Sequence, residues 1–511
     1  MNKITRKIVG AALSLFVSLG VSAQSVPLTG KTAPEIAKLM GAGWNLGNTL
    51  DATNGSGLGT ETSWGNPKTT QGMIDAVKQA GFNTVRVPVS WGRHTSQSGD
   101  FRFKINDEWI ARVKEVVDYC YKNDMFVILN IHHDNDKAYY YPSFSYQGQS
   151  ETYVKDIWTQ IAAAFADYDQ HLIFETLNEP RLVGTSDEWW FDVDNPSNNV
   201  RNAIAIINDL NQIAVDAIRD NGSACNKERM IMCPGYCASM EGCRSNLFKL
   251  PADKGEAENR IALSVHAYNP YDFCLGSKSV TSLTANDKSN VNGMFSTLNS
   301  MYKSKGVAVV IGETSASNKN NLDNRLEWVD CFYGNAKKFG IPCVLWDNNV
   351  YVNSSNAGES HGYLNRASSS WYPDGKVFVD KIMEVLGVGE DPDVDDPVID
   401  DPDDEDSVVD EPVDDDLYGD GSDGDGSVAD DSSAVAYVDA RTGIEISISD
   451  DVLYIKSDEP AERVAVFDIG GICVLEAAEC NTVNLDFLNN GVYIIRICSR
   501  EAVLTRKIVK K

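Results

Sequence analysis

Phe126-Val127-Ile128-Leu129-Asn130-Ile131-His132 is an almost unbroken apolar run that ends on a histidine and leads into His133-Asp134. It is too short for a stable helix, and it lacks the polar alternation of a strand with one wet face. A strand buried on both sides reads this way. Similar runs recur at 42–46, 84–89, 172–177, 229–233, 261–266, 307–311 and 343–346, which makes eight with 126–132. Between them, 70–80, 106–123, 151–167 and 201–221 carry apolar residues at helical spacing. Eight strand–helix units in about 350 residues predict an α/β fold of the (β/α)8 TIM barrel type, with its active site at the carboxyl ends of the strands.

Seven of the eight strand ends carry polar or aromatic residues: Trp44 and Asn45, Arg86, His132, Asn178 and Glu179, His266 and Tyr268, Glu313, and Trp346. A buried strand holds an Arg or Glu at its tip only where the group meets a partner or a ligand. Glu179 and Glu313 follow the fourth and seventh strands, so they face each other across the mouth. Glycosidic cleavage needs one carboxylic acid to protonate the leaving oxygen and a second carboxylate to attack the anomeric carbon or activate water. Glu179 as the acid must stay protonated through burial or like-charge repulsion; Glu313 must stay ionised, and Arg86 and Tyr268 are the groups to hold it so. The amide of Asn178 suits a sugar hydroxyl near the reacting carbon.

Several competing readings are open to the same residues. Glu175 shares the parity of Glu179 and is the rival acid, though it lies deeper in its strand. His94, His171 and His361 read as surface or structural residues. Trp64, Trp91, Trp189 and Trp190 are either core or stacking faces for sugar rings on the mouth side. His132-His133-Asp134 suggests metal-dependent hydrolysis, but neighbours on a strand point to opposite faces, so only one of the two imidazoles is expected in the mouth. The expectation is therefore no metal and no cofactor.

Composition sets the frame. With 42% hydrophobic and 9% aromatic residues in 511, most of the chain folds. The net charge of −29 is local: 390–431 holds 21 acidic residues and no basic one, which leaves −8 elsewhere. No basic stripe supports nucleic-acid binding. Residues 1–23 have a basic start, an apolar middle and Val21-Ser22-Ala23 before Gln24, the pattern of a secretory signal, and the apolar stretch is too short to span a bilayer. The expected organisation is signal 1–23, barrel 27–388, acidic Asp/Pro-rich disordered linker 389–433, and a small all-β sandwich at 436–511, in a monomer without a transmembrane segment. Cys225, Cys233, Cys237, Cys243 and Cys274 form either one or two disulfides or small buried hydrophobes.

Gly43-Trp44-Asn45-Leu46-Gly47-Asn48-Thr49, Thr84-Val85-Arg86-Val87-Pro88-Val89, Asn130-Ile131-His132-His133-Asp134, Leu177-Asn178-Glu179-Pro180, His266-Ala267-Tyr268 and Ile311-Gly312-Glu313 resemble glycoside hydrolase family 5 in order and spacing. The resemblance implies a retaining mechanism with Glu179 as acid/base and Glu313 as nucleophile. It also implies Asn45, Arg86, His132, Asn178, His266, Tyr268 and Trp346 as the substrate-binding shell. The opening motif, with Glu61-Thr62-Ser63-Trp64-Gly65-Asn66-Pro67, is similar to the endoglucanase branch acting on cellulose, mixed-linkage glucan and xyloglucan; mannanase, xylanase or a non-catalytic glucan-binding barrel are the alternatives.

The last segment has short alternating strands but no Trp after Trp371, which disfavours a flat carbohydrate-binding platform. Val466-Phe467-Asp468-Ile469-Gly470-Gly471, Gly491-Val492-Tyr493-Ile494-Ile495-Arg496 and the Lys507-to-Lys511 end resemble the carboxy-terminal sorting domain of type IX secretion. That resemblance implies recognition by the secretion machinery, with release or attachment at the outer cell surface.

Overall fold

The computed structural model describes residues 28–388, apart from 255–258, 277–278 and 353–357, together with strands and one short connection between 435 and 510. The expected signal (1–23) and acidic linker (389–433) lie outside the described residues. The molecule divides into two compact units.

In the first unit, β1 (Gly43–Leu46), β2 (Thr84–Val87), β3 (Phe126–Asn130), β4 (Leu172–Glu175), β5 (Ile231–Pro234), β6 (Ile261–His266), β7 (Ala308–Thr314) and β8 (Cys343–Asp347) close into a parallel barrel in chain order. The layer outside it is formed by α2 (Gln71–Gln79), α3 (Asp107–Tyr121), α4 (Gln147–Ala164), α5 (Asn198–Asp220), α6 (Ala285–Met301), α7 (Leu322–Phe339) and α8 (Pro373–Leu386). A five-residue helix, Met240–Arg244, takes the helical place after β5.

The unbroken apolar runs are explained by two dry faces. Val127, Leu129, Phe174, Leu263, Val265, Val309 and Ile311 point outward into one cluster with helix residues such as Val113, Val116 and Ile157. Ile128, Ile173, Met232, Ala262, Val310 and Val344 point inward and pack on α1 (Ala33–Leu39), which plugs the amino-terminal end of the barrel through Ala33, Ile36 and Ala37. Above this greasy floor the inward positions turn polar: Asn45, Arg86, Asn130, Glu175, Ser264 and His266 are all buried. Trp44, the other residue singled out at the first strand end, faces away from the mouth and donates its Nε1 proton to Asp347 over 3.0 Å.

Strand limits differ from the sequence reading at their polar ends. β3 and β4 stop at Asn130 and Glu175, so His132, Asn178 and Glu179 stand on loops that leave the ladder. β7 runs on to Thr314 and holds Glu313 within it. β5 begins only at Ile231, because Arg229 is a buried brace that donates to the carbonyls of Phe165, Tyr168, Asp169 and Leu172.

The second unit is all β. Val435–Val438, Glu445–Ser449, Val452–Lys456 and Thr482–Asn484 form one antiparallel sheet; Cys473–Cys480, Ala461–Asp468, Gly491–Cys498 and Val503–Lys510 form the other. Ile446, Leu453 and Val483 of the first share a core with Val464, Val466 and Ile495 of the second, as in a sandwich. No helix among the described residues is long and apolar enough to cross a membrane. Cys225, Cys233, Cys237, Cys243 and Cys274 are all free thiols, which decides against disulfides; all but the half-buried Cys225 are small buried hydrophobes.

Candidate active site

Arg86, fully buried, organises the mouth. Its Nε donates to Glu175 Oε2 over 2.8 Å, Nη1 to Asn45 Oδ1 over 2.9 Å and to Glu313 Oε1 over 2.7 Å, and Nη2 to Asn178 Oδ1 over 2.8 Å. Glu175 is further bound by Asn130 Nδ2 at 2.9 Å and Ser264 Oγ at 2.6 Å. With every one of these donors pointing at it and no solvent exposure, Glu175 serves as a buried counter-ion, and the rival-acid reading fails. The parity that made it a rival is the same parity that aims it at Arg86.

Glu313 also accepts a hydrogen bond from Tyr268 Oη at 2.9 Å, so both of its oxygens are held. Glu179, on the loop after β4, bonds through Oε1 to His266 Nδ1 at 2.8 Å. One oxygen of each carboxylate and one nitrogen of His266 lie within 4.8 Å of one another. Burial, chiefly, and the charge of Glu179 push the Glu313 carboxyl up, against the pull of His266 and Arg86. For Glu179, burial is outweighed by the hydrogen bond and charge of His266, with Arg181 and His133 adding, and its carboxyl is held down to about 2. Burial lowers His266, but the two glutamates more than compensate and raise it. These directions favour His266 over Glu179 for the proton the two share.

The rest of the expected shell converges here. His132 reaches to 4.0 Å from Glu313 Oε1 and stacks parallel to Trp346, with centroids 5.9 Å apart and 4° between planes. Gly47 lies beneath Trp346: a Cβ there would meet its ring at 2.7 Å. The amide nitrogen of Asn178 keeps no partner among the described residues and is available to a sugar hydroxyl. His361 is buried, donates Nε2 to the Cys274 carbonyl at 3.0 Å and lies parallel to Tyr268. His94 is buried against Trp109 at 3.6 Å, and His171 pairs with Asp169; neither touches the mouth.

Of the tryptophans, Trp91 is core, fully buried and bonded to the Asn130 carbonyl, which decides between its two readings against a sugar platform. Trp64 is half-buried beside His133, while Trp189 and Trp190 are 58% and 65% exposed. Both His132 and His133 enter the mouth, with ring centroids 4.3 Å apart, because the strand has already ended at Asn130.

Two clusters have donor atoms near enough for a cation, Asp51 with His132 and His133, and Glu179 with His266 and Glu313. In the first, the two oxygens of Asp51 already accept the Thr49 and Asn48 backbone protons, and His132 Nδ1 faces Asn130. In the second, His266 bonds Glu179 and Arg86 bonds Glu313. Asp134 is likewise taken up, by the Trp91 and Gly92 backbone and the Tyr153 hydroxyl.

The family model described as Cellulase (glycosyl hydrolase family 5) matches residues 50–352. The chain belongs to glycoside hydrolase family 5. Endoglucanase A of Clostridium longisporum is 42% identical over 380 residues, 72% of this chain and 69% of that protein. Endoglucanase B of Ruminococcus albus is 40% identical over 68% of this chain and 79% of its own length. Among solved structures, a GH5-4 broad specificity endoglucanase from Ruminococcus flavefaciens is 47% identical, with a TM-score of 0.64, covering 70% of this chain and all of that one (100%). A lichenase of glycoside hydrolase family 5 from Caldicellulosiruptor sp. F32, a mutant in complex with cellotetraose, is 42% identical with a TM-score of 0.65 over 71% of this chain and 97% of that one. A second model, Secretion system C-terminal sorting domain, matches residues 449–511. The family 5 barrel is thus a secreted glycoside hydrolase, and its sandwich is the export signal.

Proposed function

We propose that this family 5 enzyme is a retaining endo-β-1,4-glucanase in which Glu313 is the nucleophile and Glu179 the acid/base. The observation that carries the reading is the spacing of the two carboxylates, within 4.8 Å at their near oxygens. Retaining enzymes hold the pair about 5–5.5 Å apart, and inverting enzymes about 6.5–9.5 Å to admit a water.

Glu313 attacks the anomeric carbon as Glu179 gives its proton to the departing oxygen, forming a glycosyl ester on Glu313. Water then attacks that carbon, Glu179 takes its proton, and the Glu313 carboxylate is released. Arg86 and Tyr268 offset charge on Glu313 at the start and end of the cycle; Asn178, His132 and Trp346 hold the sugar undergoing attack, and Asn45 fixes Arg86. Because relatives carry the names endoglucanase, broad specificity endoglucanase, lichenase and xyloglucan-specific endo-beta-1,4-glucanase, the proposed substrates are cellulose, mixed-linkage β-glucan and xyloglucan. Glu313→Gln is expected to abolish reducing-sugar release from barley glucan while glucan binding persists, and a chelator is expected to leave the native enzyme unaffected. Full turnover by Glu313→Gln removes Glu313 from the nucleophile role.

A further inference from the structure

Resting on the reading of Glu179 as acid/base, we propose that Arg181 is a positioning residue that fixes the outer oxygen of this carboxylate and joins it to a leaving-group-side sugar platform on Trp189. Oε1 of Glu179 is engaged by His266, so the oxygen left to meet the glycosidic oxygen is Oε2, which accepts no hydrogen bond among the described residues. Its neighbour is Arg181, whose Nη1 lies 3.7 Å from Oε2 and donates to the Glu179 carbonyl over 3.0 Å. A sugar leaving on the oxygen protonated by Oε2 therefore departs over Arg181.

What Arg181 does next gives that sugar a floor. Its guanidinium lies over the Trp189 ring, 3.8 Å from the centroid, and its Nε bonds Glu188 Oε1 at 3.3 Å. Glu188 closes the loop through the Gly184 backbone at 2.8 Å, and Asn135 bonds both the backbone nitrogen and the carbonyl of Arg181, at 2.8 and 3.0 Å. Trp189 nevertheless stays 58% exposed. One face of the indole carries the cation, and an indole with this much exposed surface suits stacking against the apolar face of a pyranose. Were the assembly only a staple for the loop, the ring would gain more by burial.

The charge matters as well as the shape. Glu179 is faced by His266 from β6 and Tyr268 just after it, Glu313 from β7, His133 and Tyr140 after β3, Cys237 after β5 and Arg181 on its own loop. Arg181 favours the ionised carboxylate, the form required when Glu179 acts as base in the second step. Its own charge is partly met by Glu188, which limits how far it opposes the first step.

The test compares substrates whose leaving groups do and do not need a proton. In Arg181→Gln, kcat/KM for cellopentaose is expected to fall about 10- to 100-fold, a part of the usual worth of general acid catalysis. With 2,4-dinitrophenyl β-cellobioside, whose leaving group departs unprotonated, it is expected to change less than threefold (~3). The basic limb of the cellopentaose pH profile is expected to move to higher pH in this variant, and to stay in place in Arg181→Lys. Trp189→Ala is expected to raise KM for cellopentaose with both limbs unmoved. Equal losses on both substrates, or no loss on cellopentaose, overturn the proposal. Glu179→Ala with azide serves as the control: absence of β-cellobiosyl azide there faults the acid/base assignment itself rather than the role of Arg181.

Discussion

Arg86 and Glu175 form an ion pair of 2.6 Å with neither side chain exposed, directly beneath the carboxylate of Glu313. One buried cation thus serves two carboxylates, since Arg86 also stands 2.7 Å from Glu313. Removing one member of a buried pair costs on the order of 3–5 kcal/mol. Glu175→Gln is expected to lower the thermal midpoint and reduce activity, without rescue by azide. Glu179→Ala is expected to keep the midpoint and regain turnover of activated aryl cellobiosides with azide. Azide rescue of the Glu175 variant would contradict the assignment of the acid.

Gly47 is required for space. The Cβ of Gly47→Ala meets the Trp346 ring at less than 3 Å and has to displace it. Because Trp346 stacks in register with His132, the expected outcome is a KM for cellotetraose raised about tenfold, equivalent to about 1.4 kcal/mol of binding, with a nearly unchanged thermal midpoint. Kinetics and calorimetry on the same preparation check it.

Acid should weaken the barrel through its buried imidazoles. Burial lowers His94 to about 4, and its Nε2 has no partner. Below pH 6.5 the unfolded chain takes up a proton that the fold refuses, so this stability is present above 6.5 and is lost as pH falls toward 4, on the order of 2–3 kcal/mol. Asp51 and Asp134, raised to about 6 by burial, act in the opposite sense and favour the fold as pH falls through that value. His94→Phe keeps the stack on Trp109 and is expected to lose less stability than the native protein between pH 6.5 and 4, measured by thermal melts across that range.

The free cysteines make the barrel indifferent to reductant. Burial raises the thiols of Cys233 and Cys243, to about 12 for Cys243, so they are neither paired nor reactive in the fold. Dithiothreitol is expected to leave the thermal midpoint unchanged, and the barrel's buried thiols are expected to react with a thiol reagent only after denaturation.

Much of this site was legible because barrel strands carry their chemistry at fixed ends: Asn45, Arg86, His132, Asn178, Glu179, His266, Tyr268, Glu313 and Trp346 all converge where the strand count places them. What the sequence hid depended on three-dimensional partners. Glu175 has the spacing of an acid, and only the buried guanidinium paired with it at 2.6 Å shows it to be a counter-ion. Both His132 and His133 reach the mouth because β3 ends two residues earlier than its apolar run. Trp91 has the loop position of a sugar platform yet is sealed by the backbone of Asn130. Arg181 gave no signal beyond following Glu179-Pro180, since its meaning lies in the distance to Oε2 and in the ring of Trp189.

The stereochemistry of the first product tests the central claim most directly. Proton NMR during early hydrolysis of cellotetraose is expected to show the β-anomer of the newly formed reducing end first, with the α-anomer growing only by mutarotation. Initial release of the α-anomer would mean single displacement by water and would contradict a covalent intermediate on Glu313.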